Sequence, residues 1–420
     1  MVNSDYMRPE KAAMLRRKAE PFLNPPEKEL RQLENAAVIP AFRHESGELL
    51  TGVVDEKNRF VDISREVYHP RDIEERTAGT DFELRDEKAV YVGYFNTHWG
   101  HFTVDCLPSF WFMWEHPDAD RYVFSYDEGL TPDIPRNIRE ALQLLGVWDK
   151  VEIISEPVRF RRLYVPLKGL VSEEYMLPES IRVFDRIVEN ALAAPFGRET
   201  AERLLMSRAK LPKARLNDIG TENVEEFFIA NGFKPVYPEQ ISLTELIHYL
   251  AHAEETAAIS GTLMHNMLFA PQRSRLTVIE KYANINCFQS GIDRLRELKT
   301  TYIDSYYFIR PVEPGLGPFI MGPTPQLKRF AADRGMKYAI RPLNPRTTLR
   351  RFFNLCKRHY KRRWIMPWWL DAETGSMREA YDDSMKLFGP WITGDRAVYL
   401  SDAMRPRFIA RKLKNALKKR

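Results

Sequence analysis

The sequence predicts an α/β protein built on two parallel sheets covered by helices, and three observations carry that prediction. From Ala89 onward, short apolar runs alternate with helical stretches of about ten residues. Consecutive parallel strands need such crossovers, because the chain must travel back over the sheet before it can pair in the same direction. At 420 residues, with 44% hydrophobic and 12% aromatic content, the chain exceeds what one core commonly serves, so two domains are expected.

Residues 1–88 are rich in Pro, Arg and Glu, with weak strand signals only at 37–42 and 59–63, and read as a lead-in segment. Residues 89–194 form the first α/β unit. Its runs AVYVGYF, RYVFSY, VEIISE and FRRLYVPL are strands, separated by helices at 101–114 and 136–145, and a helix-prone stretch at 178–194 closes it. Residues 195–310 form the second unit, with strands expected at 203–207, 234–237, 256–259, 275–280 and 300–304 and helices at 221–231, 243–253 and 262–269. Ligands of such sheets bind beyond the carboxyl ends of the strands. Residues 311–420 crowd Pro, Gly, Trp and Arg and read as an extension packing back on the first unit. Within it Trp364, Trp368 and Trp369 beside Lys361, Arg362 and Arg363 suit a membrane interface, a sugar face or ordinary packing.

No run approaches the roughly 20 apolar residues of a membrane span, and the first twenty residues lack the apolar centre of a secretion signal. A cytoplasmic location is therefore expected. The net charge of +5 is uneven: RPRFIARKLKNALKKR, opening at Arg405 and closing at Arg420, holds eight basic residues and no acid, leaving −3 on the rest. This tail fits an anionic membrane surface at the inner face of a membrane, or a solvated end. No nucleic-acid recognition module is legible, so no nucleic-acid partner is expected. Cys106, Cys287 and Cys356 are widely spaced and read as reduced core thiols; a nucleophilic Cys106 would want an elbow signature that its flanks lack.

Three constellations carry candidate chemistry. In FNTHWGHFTVDCLPSFW, His101 and Asp105 share a helix face if a helix starts near Gly100, so the carboxylate can orient the imidazole and raise its basicity for general-base work. A core-facing aromatic cluster is the plainer alternative for this stretch. His98 and His101 lack further ligands at metal spacing, so no metal is expected. In LLMSRAKLPKARLNDIGTENVEEFF, Arg208 and Arg215 follow a strand, where guanidinium groups suit a diphosphate. In AAISGTLMHNMLFAPQRSRLTVIEK, a strand runs through Ser260 and Gly261 straight into a helix. Gly261 lets a ligand approach the backbone, Thr262, His265 and Asn266 follow within a turn, and Glu280 ends the next strand in reach of a ribose hydroxyl.

The order of these segments resembles glycosyltransferase family 61: N-x-H-W-G-H-F-x-x-D-x-L-P, then S-R-A-K with Arg215, then NGFKPVYPEQISLTELIHYLAHAEETAAISGTLMHNMLFA. The likeness covers about half the chain, from Tyr91 to Asp304. It implies a GT-B-like fold, with two Rossmann-like domains whose parallel sheets face a central cleft. It also implies an inverting, metal-independent transfer that uses a nucleotide sugar as co-substrate and no cofactor. The acceptor it implies is a glycan or lipid-linked saccharide, in bacterial surface polysaccharide assembly. By the same resemblance His101 or Asp105 is the base, Arg208 and Arg215 meet the diphosphate, and Glu239, Gly261, Thr262, His265, Asn266 and Glu280 surround the donor. Where many relatives read His-Gly-Ala, this chain reads Ser260-Gly261-Thr262, and His265 is the candidate replacement. Asp118-Ala119-Asp120 spells a metal-binding motif of other transferases but precedes a strand instead of following one. A nucleotide-sugar-modifying enzyme would want G-x-G-x-x-G after the first strand, and none is present.

Overall fold

The structure, a computed structural model, describes residues 2–44, 48–64, 70–115, 118–211, 218–286, 288–309, 317–362 and 374–392. The strands of its first half are β1 (Val2–Tyr6), β2 (Leu30–Arg43), β3 (Leu49–Val54), β4 (Leu84–Tyr94), β5 (Arg121–Ser125), β6 (Val151–Ile154), β7 (Val158–Pro166), β8 (Leu170–Val171) and β9 (Tyr175–Met176). Those of the second are β10 (Arg203–Met206), β11 (Asp218–Ile219), β12 (Lys234–Val236), β13 (Glu255–Ile259), β14 (Arg275–Glu280), β15 (Lys299–Asp304), β16 (Tyr306–Tyr307) and β17 (Phe319–Met321).

Two six-stranded sheets form the frame, ordered β3-β2-β7-β4-β5-β6 and β1-β15-β14-β13-β10-β12. The second is parallel throughout, as its alternating pattern predicts. Neighbouring residues of its strands face opposite layers. Leu204 and Met206 of β10 join the layer containing Phe102 and Leu246, while Leu205 joins Val224, Phe227 and Phe330 on the other side. Burial on both faces is what makes these strands short continuous apolar runs.

The first sheet corrects the expectation of a second all-parallel sheet. β7, β4, β5 and β6 run parallel, but β2 is antiparallel to both β7 and β3. The link from β2 to β3 is too short for a crossover, which leaves only the antiparallel pairing. Residues 1–88 are correspondingly no lead-in. They supply β2 and β3 to this sheet and β1 to the edge of the other, where Val2 pairs with Thr300. The strand expected at 59–63 is reduced to a single bridge between Phe60 and Val54, followed by a short turn of helix at Asp62–Ser64.

One apolar layer runs between the sheets. It joins Val90, Phe95 and Phe124 of the first half to Leu204, Ala258 and Val278 of the second, through helices Arg136–Leu145, Ile181–Leu192 and Leu243–His252. The extension also departs from expectation. Helices Pro345–Arg362 and Thr374–Ile392 pack on β11, β16 and β17, with Phe352 and Phe388 beside Ile219 and Tyr306, on the side of the second sheet and not the first. Arg215, Cys287, Trp364, Trp368, Trp369 and the basic tail lie outside the described residues, as does the side chain of Cys356. Cys106 is buried and donates its thiol to the Tyr94 carbonyl, in keeping with a core role. Among the described residues no helix is long and apolar enough to cross a membrane.

Candidate active site

The site begins where β4 ends. The Asn96 side chain accepts the His98 amide at 2.9 Å, turning the chain into helix Trp99–His101. The winding then loosens to π over Phe102–Cys106 and tightens to 3-10 over Leu107–Trp114, where Pro108 has no amide to continue an α ladder. Single π turns inside helices often mark functional sites. Here the change of winding leaves His101 and Asp105 together: Nδ1 donates to the Asp105 carboxylate at 2.9 Å, and the imidazole is half exposed. That hydrogen bond raises the His101 pKa above its ordinary value despite partial burial. The neighbouring His98 ring, 5.5 Å away, shifts down, through desolvation first and the nearby His101 second.

This helix start meets the Ser260–Gly261 turn of the second sheet. A methyl group on Gly100 would lie 2.6 Å from Thr262 Cγ2, so only glycine allows the two segments to touch. Trp99 Nε1 donates to Asn266 Oδ1 at 2.9 Å. His265 Nδ1 donates to the Gly100 carbonyl at 3.3 Å, and Asn286 Nδ2 donates to its Nε2 at 3.3 Å. Full burial pushes the His265 pKa down to about 4, so it works as a neutral strut. A second joint lies nearby. Glu140 of the first half accepts the Leu243 and Thr244 amides at 2.9 and 2.8 Å, adding to the Ser242–Glu245 capping box at the start of helix Leu243–His252.

Between the two joints lies a cavity of about 390 Å³. His98 and Trp99 edge it from the first half, and Arg208, Glu239, Gly261, Thr262 and Asn266 from the second. Those of the second half follow the carboxyl ends of β10, β12 and β13. Gly261, at φ +129°, adopts a backbone conformation closed to other residues, and its open face looks toward Lys281, whose Nζ is 3.9 Å from where a methyl would stand. Burial, and then the Arg208 guanidinium, push the Lys281 pKa down to about 8. Two cationic groups thus serve one turn. A second cavity, about 670 Å³, includes Asp105, Asn96, Tyr94 and Arg31 in its wall, and His101 lines neither of the two.

The structure therefore gathers Arg208, Glu239, Gly261, Thr262 and Asn266 around one cavity and sets Asp105 in the next. Two expected donor contacts are not at the surface of either. His265 is buried in the joint just described, and Glu280 is wholly buried against Lys11, 3.0 Å from its Nζ. Burial raises the Glu280 pKa even so. Lys11 also reaches Asp304 at 3.4 Å, and Arg8 reaches Asp304 at 3.3 Å. Glu280 needs this countercharge because an unpaired buried carboxylate is too costly, and the countercharge comes from helix Pro9–Ala19. Lys281 was missed; the signal available was its place directly after β14, at the same strand ends as Arg208. Asp118 pairs with Lys88, and Asp120 accepts the Lys88 amide at 2.8 Å, so both tie the start of β5 to β4. Among the described residues no group of His, Cys, Asp and Glu has the geometry of a metal site.

No curated protein gives a significant match to the chain. Residues 99–277 match the family model described as Glycosyltransferase 61, a stretch that starts at the Trp99 helix and runs past Arg208, Glu239 and the Gly261 turn into β14. Over that stretch the chain is similar to the glycosyltransferase 61 family.

Proposed function

We propose that the protein is an inverting glycosyltransferase that moves a sugar from a nucleotide-sugar donor to a glycan acceptor. In this reading residues 89–194 form the acceptor side and 195–310 the donor side of a GT-B arrangement. One observation carries it: the helix start that bears the His101–Asp105 pair contributes His98 to the wall of one cavity and Asp105 to the wall of another.

The donor diphosphate rests by Arg208 and Lys281, its sugar reaching toward His98. The acceptor enters from the cavity holding Asp105. Because His101 Nδ1 is committed to Asp105, Nε2 is the nitrogen left to take a proton. The acceptor hydroxyl oxygen attacks the anomeric carbon, its proton passes to Nε2, and the bond from that carbon to the phosphate oxygen breaks on the opposite face. The nucleoside diphosphate leaves as an anion stabilised by the two cationic side chains, so neither metal nor cofactor enters the step. A role in bacterial surface polysaccharide assembly fits this chemistry. The basic tail from Arg405 to Arg420 would then hold the protein at the inner membrane face beside a lipid-linked acceptor.

Nucleoside diphosphates are expected to raise the melting temperature of the full chain, and His101→Ala to keep that response. A panel of nucleoside diphosphates with no effect on melting removes the reading.

A further inference from the structure

Arg208 separates two spaces. On one side is the cavity edged by His98 and Trp99; on the other is a compact space of about 250 Å³ that shares with it only Arg208 and Ile259. Its remaining wall includes Asp218, Thr221, Glu222 and Glu225, from β11 and the first turns of helix Thr221–Ala230. Asp218 is the informative member. Its side chain is only 8% exposed, and Oδ2 accepts from Arg208 Nη2 at 3.3 Å. The other oxygen, Oδ1, is buried with no hydrogen-bond partner. Leaving a buried acceptor unmatched is unfavourable, more so if it is charged, and such groups call for an explanation.

We propose that this second space receives the nucleoside of the donor, with Asp218 Oδ1 accepting from its hydroxyl or ring N–H groups. The inference rests on the transferase reading above. A diphosphate bound at Arg208 carries its two substituents away in opposite directions. The sugar must go toward His98 and the dyad, so the nucleoside goes the other way. The chemistry of the wall agrees: Asp218, Glu222 and Glu225 offer hydrogen-bond acceptors, with Arg208 and Arg351 beside them, which suits a ribose diol or a base edge rich in N–H. Thr221 stands at the floor, where a larger side chain would fill the space.

The test measures binding of UDP, GDP, 2′-deoxy-UDP and inorganic pyrophosphate by calorimetry to the full chain and to two variants, Thr221→Phe and Asp218→Asn. Both variants are expected to weaken the preferred nucleoside diphosphate at least tenfold while leaving pyrophosphate within about twofold of wild type. Asp218→Asn is the milder change and keeps the test open if Thr221→Phe fails to fold. A loss on removing the 2′-hydroxyl that disappears in Asp218→Asn identifies the ribose as the partner. A loss confined to one base identifies the base edge. Wild-type binding of a nucleoside diphosphate that both folded variants retain within twofold overturns the assignment but leaves the transferase reading standing. No nucleoside diphosphate binding to wild type overturns both.

Discussion

Two charged pairs flank the Gly261 turn, and they are built in opposite ways. His101 and Asp105 are both partly exposed to solvent and joined by one hydrogen bond. Lys11 and Glu280 are sealed, with both side chains at most 1% exposed and Asp304 and Arg8 completing a buried network. An ion pair shut away from water cannot exchange protons with a substrate, but it fixes what is attached to it. Glu280 is followed by Lys281, whose amide donates to Ser260 Oγ at 3.3 Å, and Ser260 leads into the turn. The open pair is therefore free to exchange protons, while the closed pair is a fixed part of the frame behind the turn.

Substitutions can separate the two roles. Lys11→Met strands the Glu280 carboxylate in the interior, Asp304 keeping Arg8, and should cost about 3–5 kcal/mol of folding stability, with Glu280→Gln on top restoring part of it. Chemical denaturation reads both, and wild-type stability in the single variant would show that the network is slack. His101→Ala should do the reverse, cutting transfer about a hundredfold or more while melting stays near wild type. A variant that melts early would move the dyad into the structural class. Asp105→Asn is a smaller change, expected to cost roughly tenfold in rate. It also carries a pH signature. A base whose pKa is raised by its carboxylate loses activity as pH falls through that raised value, so removing the carboxylate should move the acid limb of kcat/KM to lower pH. An unmoved limb would assign the profile to another group. The smallest effect belongs to Lys281. Its ammonium form is the one that attracts phosphate, so donor affinity should weaken a few-fold as pH rises through about 8, and Lys281→Arg should flatten that dependence.

The same contrast explains what could be read from the sequence. The second sheet was legible because each strand is a short apolar run between Gly or Pro signals, and β10, β12, β13, β14 and β15 fall within a residue or so of their expected bounds. β1 carries no such signal. Its VNSDY is largely polar, and only its pairing with β15 makes it a strand. β2 is hidden by its own irregularities: Asn35, at φ +49°, drops out of the ladder to β7, and the pairing to β3 skips Pro40. Site residues followed the same logic. The His101–Asp105 contact is local, four residues apart on one helix, and was visible. The fate of Glu280 was decided by Lys11, a partner no window of sequence around residue 280 contains.

The pairing of Val2 with Thr300 also sets a timetable for synthesis. At about 5–20 residues per second, β1 leaves the ribosome roughly 15–60 s before β15 has been made. Until then β1 has no strand to pair with and β14 keeps an unpaired edge. Completion of the second sheet therefore waits for β15, and a nascent chain stalled before residue 300 should be soluble only while a chaperone guards its unpaired strand edges.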